Sequence, residues 1–167
     1  NVSREVAIKS FGLDPSKKTI LIIGGSLGAK TINDSVLTHL SLIKQSNVQF
    51  IWQTGKFYSE QIREELEKKG KPDNLYVSDF IADMAKAYKA ADLVISRAGA
   101  SSISELCLLG KPCILVPSPN VAEDHQTKNA LALVKKDAAI YIKDSEAQMA
   151  LLPKAVSTVN EPERLVA

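Results

Sequence analysis

Thr19–Ile23 reads Thr-Ile-Leu-Ile-Ile, a run of β-favouring residues with no position left over to face water. A continuous apolar run of this kind marks a strand covered on both faces, the situation in a parallel sheet. The run opens directly into Gly24-Gly25-Ser26-Leu27-Gly28-Ala29, and the spacing of Ile32, Val36, Leu37 and Leu40 predicts a helix from about Lys30 to Ile43. The unit is therefore a buried strand, a glycine-rich turn and a helix.

The same order of signals recurs down the chain. Val48–Gln53 is a second strand, turned by Thr54-Gly55 into a charged amphipathic helix over Tyr58–Lys69 with Ile62 and Leu66 inward. Gly70 and Pro72 break that helix, Leu75–Val77 forms a short third strand, and Ser78-Asp79-Phe80-Ile81 follows it. Asp83 is placed to cap a helix over Met84–Ala90, which delivers the chain to a fourth strand at Leu93–Ser96. A small-residue turn, Arg97–Ser101, then leads into a helix over about Ser102–Leu109 that Gly110 closes. Pro112–Val116 is a fifth strand, the loop Pro117–Glu123 enters a helix over Asp124–Lys135, and Ala139–Ile142 is a sixth strand. At the start, Asn1 or Ser3 can cap a short helix through Phe11; at the end, the tail from Ser145 is expected to be helical but interrupted by Pro153 and Pro162.

Six strands alternating with helices imply an α/β fold, a Rossmann-like parallel six-stranded sheet with right-handed crossovers and helices on both faces. Ligands of such sheets bind beyond the carboxyl ends of the strands. That rule collects Gly24–Ala29, Thr54-Gly55, Ser78–Ile81, Arg97–Ser102 and Pro117–Gln126 along one sheet edge, where a single cleft is expected.

Composition removes several classes. At 167 residues and a net charge of +2, the chain is one domain with room for a core, and nothing in its charge asks for nucleic acid. The pairs Lys17-Lys18, Lys68-Lys69 and Lys135-Lys136 read as solvated faces. Cys107 and Cys113 are the only cysteines, no further Cys or His completes a metal set around them, and they read as buried, reduced thiols of a cytosolic protein. No metal and no cofactor is expected, and no run approaches the ~20 apolar residues of a membrane span. The abrupt opening at Asn1 suggests one domain of a longer protein.

The glycine-rich turn admits three readings. A dinucleotide fingerprint needs Gly-x-Gly-x-x-Gly and an acidic residue ending the second strand, whereas the spacing here is Gly24-Gly25-x-x-Gly28 and that strand ends in Trp52-Gln53. An ATPase phosphate loop needs Gly-Lys-Ser/Thr, and Ala29 precedes Lys30-Thr31. The general case remains: glycines let backbone N–H groups approach an anion, and Ser26 adds a hydroxyl. The turn at 97–102 has the same character, and Glu105 lies one helical turn inside the helix it opens, able to accept from hydroxyls of the same ligand. A diphosphate held between two helix N-termini suits a nucleotide-sugar donor, whose leaving group is a nucleoside diphosphate. Arg97 and Arg4 could add positive charge, although each is by default a surface or salt-bridging arginine. His39 reads as a surface or packed histidine, Trp52 and Met84 as core; His125 pairs with no recognisable nucleophile, and Glu123 and Asp124 suit a helix start.

GGSLGA after the first strand, FI-x-DM at 80–84, SRAGASSISE at 96–105 and EDHQTKNA at 123–130 together closely resemble the MurG family, from about Arg4 to Ile142 and in family order. Members move N-acetylglucosamine from UDP onto an undecaprenyl-diphosphate-linked N-acetylmuramoyl-pentapeptide, making lipid II. The resemblance implies the carboxy-terminal, donor-binding half of a two-domain GT-B fold. Gly25, Ser26 and Gly28 would then meet the diphosphate, and the Ile81 backbone would read the uracil edge beside Phe80. Ala100, Ser101 and Ser102 would lie against phosphates and sugar, Glu105 would accept from the ribose hydroxyls, and Gln126 would hold the N-acetylglucosamine. His125 stands where some members carry the first of two glutamines. Asn1–Arg4 looks like the family's Asn-Pro-Val-Arg segment, with Val2 and Ser3 departing from it, which would bring Arg4 to the diphosphate. The expected partners are UDP-N-acetylglucosamine and, through an amino-terminal domain absent from these residues, the lipid-linked acceptor; the full enzyme would sit peripherally on the cytoplasmic face of the bacterial plasma membrane. Catalytic residues would lie in that absent domain, leaving this one to bind donor without turning it over. The alternatives are another GT-B donor domain, such as that of a glycolipid synthase or UDP-sugar epimerase, and a non-catalytic nucleotide-binding module.

Overall fold

The computed structural model describes residues 3–23, 30–97, 112–116 and 139–160. Within them lie α1 (Arg4–Ser10), β1 (Thr19–Ile23), α2 (Lys30–Thr38), α3 (Leu40–Gln45), β2 (Gln49–Gln53), α4 (Ser59–Lys69), β3 (Leu75–Ser78), α5 (Met84–Ala90), β4 (Leu93–Ser96), β5 (Cys113–Leu115), β6 (Ala139–Tyr141) and α6 (Asp144–Val159). The helices expected over 102–109 and 124–135 fall outside the described residues.

The strands form one six-stranded sheet in the order β3-β2-β1-β4-β5-β6, every pair parallel. This is the doubly wound order in which the direction of winding reverses between β1 and β4. All five residues of β1 and of β2 are buried. Period-two alternation divides their side chains between two cores. Ile20, Ile22, Phe50, Trp52, Leu93, Ile95 and Ile114 pack with α2, α3, α4 and α6 on one face. Leu21, Ile23, Ile51, Val94, Cys113 and Leu115 pack with α1 and α5 on the other. Burying each such Ile or Leu contributes about 1.5–3 kcal/mol, which is why both faces of the run must be apolar. Cys113 is buried in the second of these cores, and Cys107 lies outside the described residues.

Two helices depart from their sequence reading. The helix expected over 30–43 breaks at His39 into α2 and α3: the His39 N–H is shared between the carbonyls of Ser35 and Val36, and its ring Nδ1 lies 2.9 Å from the Ser35 oxygen. Only an Nδ1–H can make that contact with a carbonyl, so the ring competes with the backbone for the same acceptor. Conversely, Pro153 does not interrupt the tail. It lies inside a continuous α6. The carbonyl it leaves unpaired, that of Met149, is on the exposed side of the helix, while Leu151, Leu152, Ala155 and Val159 are fully buried. Helix α1 begins as expected, with Ser3 Oγ accepting from the Val6 N–H.

Candidate functional site

The two rims of the sheet differ in kind. At the amino ends of the strands, polar side chains are consumed in holding the fold. Gln49 accepts from the Asp14 N–H and donates to the Asp14 carbonyl, each at 2.7 Å, and Asn74 Nδ2 donates to the carbonyls of Ile43 and Val48. Arg4 belongs to this rim. Its guanidinium donates to the carbonyls of Pro15 and Lys17 and pairs at 2.7 Å with Asp92, whose same oxygen accepts the Thr19 N–H. These partners precede β1 and β4, so Arg4 stands roughly a strand's length, ~16 Å, from the carboxyl rim. Through these bonds Arg4 ties α1 to the sheet.

At the carboxyl rim, chain segments leave the strands into turns. β1 and β4 are hydrogen-bonded neighbours, with Ile22 opposite Ile95, so the segments 24–29 and 97–102 depart from adjacent strand ends. The sequence reading expected both turns on one edge because each follows a strand's carboxyl end, and the two strands concerned are neighbours. Gly25, Ser26, Gly28, Ala100, Ser101, Ser102, Glu105, His125 and Gln126 themselves lie outside the described residues. Arg97 belongs to this rim: its guanidinium donates to the Val116 carbonyl, bracing the ends of β4 and β5.

Helix α2, which follows the glycine-rich turn, is locked to the end of β2 by a buried network. The indole N–H of the fully buried Trp52 donates to Asn33 Oδ1 at 2.9 Å, and Asn33 Nδ2 donates to the Thr54 carbonyl at 3.0 Å. Every polar atom in the set is paired, as burial requires. Asn33 went unnoticed in the sequence, where the signal was a polar residue three, four and seven positions before Val36, Leu37 and Leu40, on the apolar stripe itself. Lys30, at the first turn of α2, pairs with Asp34 at 2.9 Å, and that hydrogen bond pushes its ammonium above the ordinary lysine range. Its charge is turned along the helix surface, in keeping with the failed ATPase spacing.

Beyond β2 and β3 the rim continues. Thr54 and Gly55 donate through their N–H groups to the carbonyls of Ser78 and Asp79, and Gly55 has φ of +83°, a conformation glycine adopts without strain. Ser78 Oγ donates to the Phe80 carbonyl and accepts the Phe80 N–H, a local turn that displays the ring 47% exposed. The Lys56 ammonium sits 5.5 Å from the centroid of that ring. Next to it the Ile81 side chain enters the core, and the Ile81 N–H donates to Oε1 of Gln53 at 3.0 Å. On the other side of β3, a groove of about 670 Å³ opens against α4, lined by Arg63 and Lys71 but also by Glu67 and Asp79, so its charge favours neither sign of ligand.

The profile of the Glycosyltransferase family 28 C-terminal domain matches residues 19–165. The chain belongs to that family. This family 28 domain is 68% identical over 165 residues to the UDP-N-acetylglucosamine–N-acetylmuramyl-(pentapeptide) pyrophosphoryl-undecaprenol N-acetylglucosamine transferase of Phocaeicola vulgatus, covering 99% of this chain and 44% of the relative. It is 66% identical over 163 residues to the Bacteroides fragilis protein of the same name, covering 97% of this chain and 43% of that one. The family 28 domain thus spans less than half the length of these curated relatives. Among solved structures, MurG of Acinetobacter baumannii superposes with a TM-score of 0.75 at 32% identity, covering 98% of this chain and 46% of that one. The fold is the Rossmann-like half of a GT-B glycosyltransferase, as the motifs had implied.

Proposed function

We propose that this chain is the UDP-N-acetylglucosamine-binding domain, residues 1–167, of an inverting glycosyltransferase that converts lipid I to lipid II in peptidoglycan synthesis. The observation that carries the reading is 68% identity to a transferase of that name, sustained over 99% of the chain. The rim geometry supports it, since the two turns that suit a diphosphate leave neighbouring strands.

In this reading the backbone amides around Gly25, Ser26 and Gly28 and those of Ala100–Ser102 face the two phosphates, where N–H groups at helix starts favour negative charge. Glu105 accepts from the ribose hydroxyls, Gln126 and His125 face the sugar, and uracil lies at Phe80 and Ile81. An acceptor hydroxyl attacks the anomeric carbon as the bond from that carbon to the β-phosphate oxygen breaks. The electron pair leaves with UDP, whose growing charge the amides stabilise more in the transition state than in the ground state. The acceptor site and the base that takes the hydroxyl proton belong to the remainder of the longer protein, which meets its lipid-linked acceptor peripherally at the cytoplasmic face of the plasma membrane.

Calorimetric titration of the chain with UDP, UDP-N-acetylglucosamine, UDP-galactose and NAD tests the reading. Uridine nucleotides should bind, with the N-acetylglucosamine donor favoured over the galactose one. Equal or stronger binding of NAD would sink it.

A further inference from the structure

Lys56 stands where the strand order makes a bound nucleotide cross the sheet. β1 and β2 end in register, with Ile23 opposite Gln53, and β2 and β3 do the same, with Gln53 opposite Ser78. Under the function proposed above, the base lies by Phe80 beyond β3 and the phosphates lie beyond β1 and β4. Two strand spacings, ~10 Å, separate β3 from β1, so the nucleoside end of the ligand has to pass over the end of β2. The backbone of Lys56 is fixed at that crossing. The Gly55 N–H before it donates to the Asp79 carbonyl, and its own carbonyl accepts the Ser59 N–H and hydroxyl at 3.4 and 3.2 Å.

The Lys56 side chain, in contrast, is exposed, and its ammonium rests 5.5 Å from the centroid of the Phe80 ring. The other cations that follow these strand ends are engaged by oxygen: Lys30 pairs with Asp34, and Arg97 donates to the Val116 carbonyl. Lys56 has no oxygen partner among the described residues. A cation on a half-exposed aromatic face is weakly held, and a charge-assisted hydrogen bond to phosphate outbids that contact.

We propose that Lys56 is a donor-binding residue whose ammonium leaves the Phe80 ring to pair with the α-phosphate of the nucleoside diphosphate. The α-phosphate is the one next to the nucleoside, hence the one nearest the end of β2, whereas the β-phosphate lies farther on, toward the seam of β1 and β4. The same movement uncovers the ring beside which the base is placed, so the base and phosphate contacts are gained together. The inference rests on the UDP reading and deepens it, adding a full positive charge to a site otherwise built from amides and hydroxyls.

Calorimetric titration with UDP tests it on wild type, Lys56→Met and Lys56→Arg. Met keeps an unbranched stem that packs on the Phe80 ring but carries no charge, and Arg keeps the charge. Because the side chain is exposed, both variants should show the wild-type midpoint in urea. At about 0.1 M salt, Lys56→Met should weaken UDP by about tenfold, the loss of one charge-assisted hydrogen bond, while Lys56→Arg stays within about threefold of wild type. At about 1 M salt, where the Debye length falls from ~10 to ~3 Å, the deficit of the Met variant should shrink to about threefold or less. A Met variant that binds UDP as wild type does, an Arg variant as weak as the Met one, or a deficit that salt leaves unchanged overturns the proposal. A wild-type chain that fails to bind UDP would instead sink the parent reading, and this inference with it.

Discussion

The 2.9 Å hydrogen bond between the Trp52 indole and Asn33 joins the second strand to the helix that follows the glycine-rich turn. Because Asn33 also donates to the Thr54 carbonyl, one side chain sets the height of α2 over the sheet. Asn33→Leu leaves two buried polar groups unpaired and should cost about 2–4 kcal/mol in urea denaturation. Nucleotide affinity should fall as well, since the glycine-rich segment proposed to meet the phosphates directly precedes that helix in sequence. Stability within about 0.5 kcal/mol of wild type would show that the network is not holding α2.

Arg4 provides the opposite case. Paired with Asp92 at the amino rim, it should matter to folding and not to ligand. Arg4→Met is expected to destabilise by about 1–2 kcal/mol, the value of charge-assisted bonds that are only partly buried. UDP affinity of the folded variant should stay within about twofold. A tenfold loss would return Arg4 to the donor site.

Phe80 is half exposed and packed by Lys56 from one side, so truncating it removes little core. Phe80→Ala should change stability by less than about 1 kcal/mol while weakening UDP by about tenfold, in line with base stacking on an aromatic face of ~1–3 kcal/mol. Inorganic diphosphate, which carries no base, should bind both proteins alike in the same calorimetric series.

Asp14 is hydrogen-bonded first by the Ser16 N–H and then by the Ser16 hydroxyl, which hold its carboxyl below the usual aspartate range. A depressed carboxylate adds stability above its unfolded pKa, because there the unfolded and folded states are both ionised and the folded one is favoured. The contribution fades as pH falls through the folded value, where both states bind the proton. Asp14→Asn should therefore flatten the acid limb of the stability curve measured by thermal denaturation below about pH 4, and leave its slope near pH 7 unchanged.

Pro153 is exposed within α6 and denies the Met149 carbonyl its partner. Pro153→Ala should raise stability, by up to ~3 kcal/mol on helix propensity alone. Differential scanning calorimetry would record it as a higher Tm; a lower one would mean that the proline packs against something essential.

Most of the sheet was legible because burial on both faces leaves no alternative to an apolar strand, and the strand ends then locate the rim. Thr19–Ile23, Leu93–Ser96 and the cap at Asp83 all follow from residues near in sequence. The partners of Asn33 and Gln53 were not legible, since they lie 19 and 28 residues away and are set by parallel register. His39 broke its helix through a ring–carbonyl contact that apolar spacing does not encode. Pro153 was over-read, because a missing N–H is tolerable where water can reach the orphaned carbonyl. The partners of Arg4 were not legible either, because its contacts with Lys17 and Asp92 are set by the fold and not by neighbours in sequence.

The β1–β4 seam, with Ile22 beside Ile95, brings together strand ends that belong to distant parts of the chain. On the proposed reading, a phosphate site shared by the segments after β1 and β4 requires β4 to have docked on β1. Nucleotide binding across this seam would accordingly act as a certificate of completed folding, stabilising the finished domain by about 2.7 kcal/mol at a hundredfold excess over Kd and giving nothing to partly assembled forms.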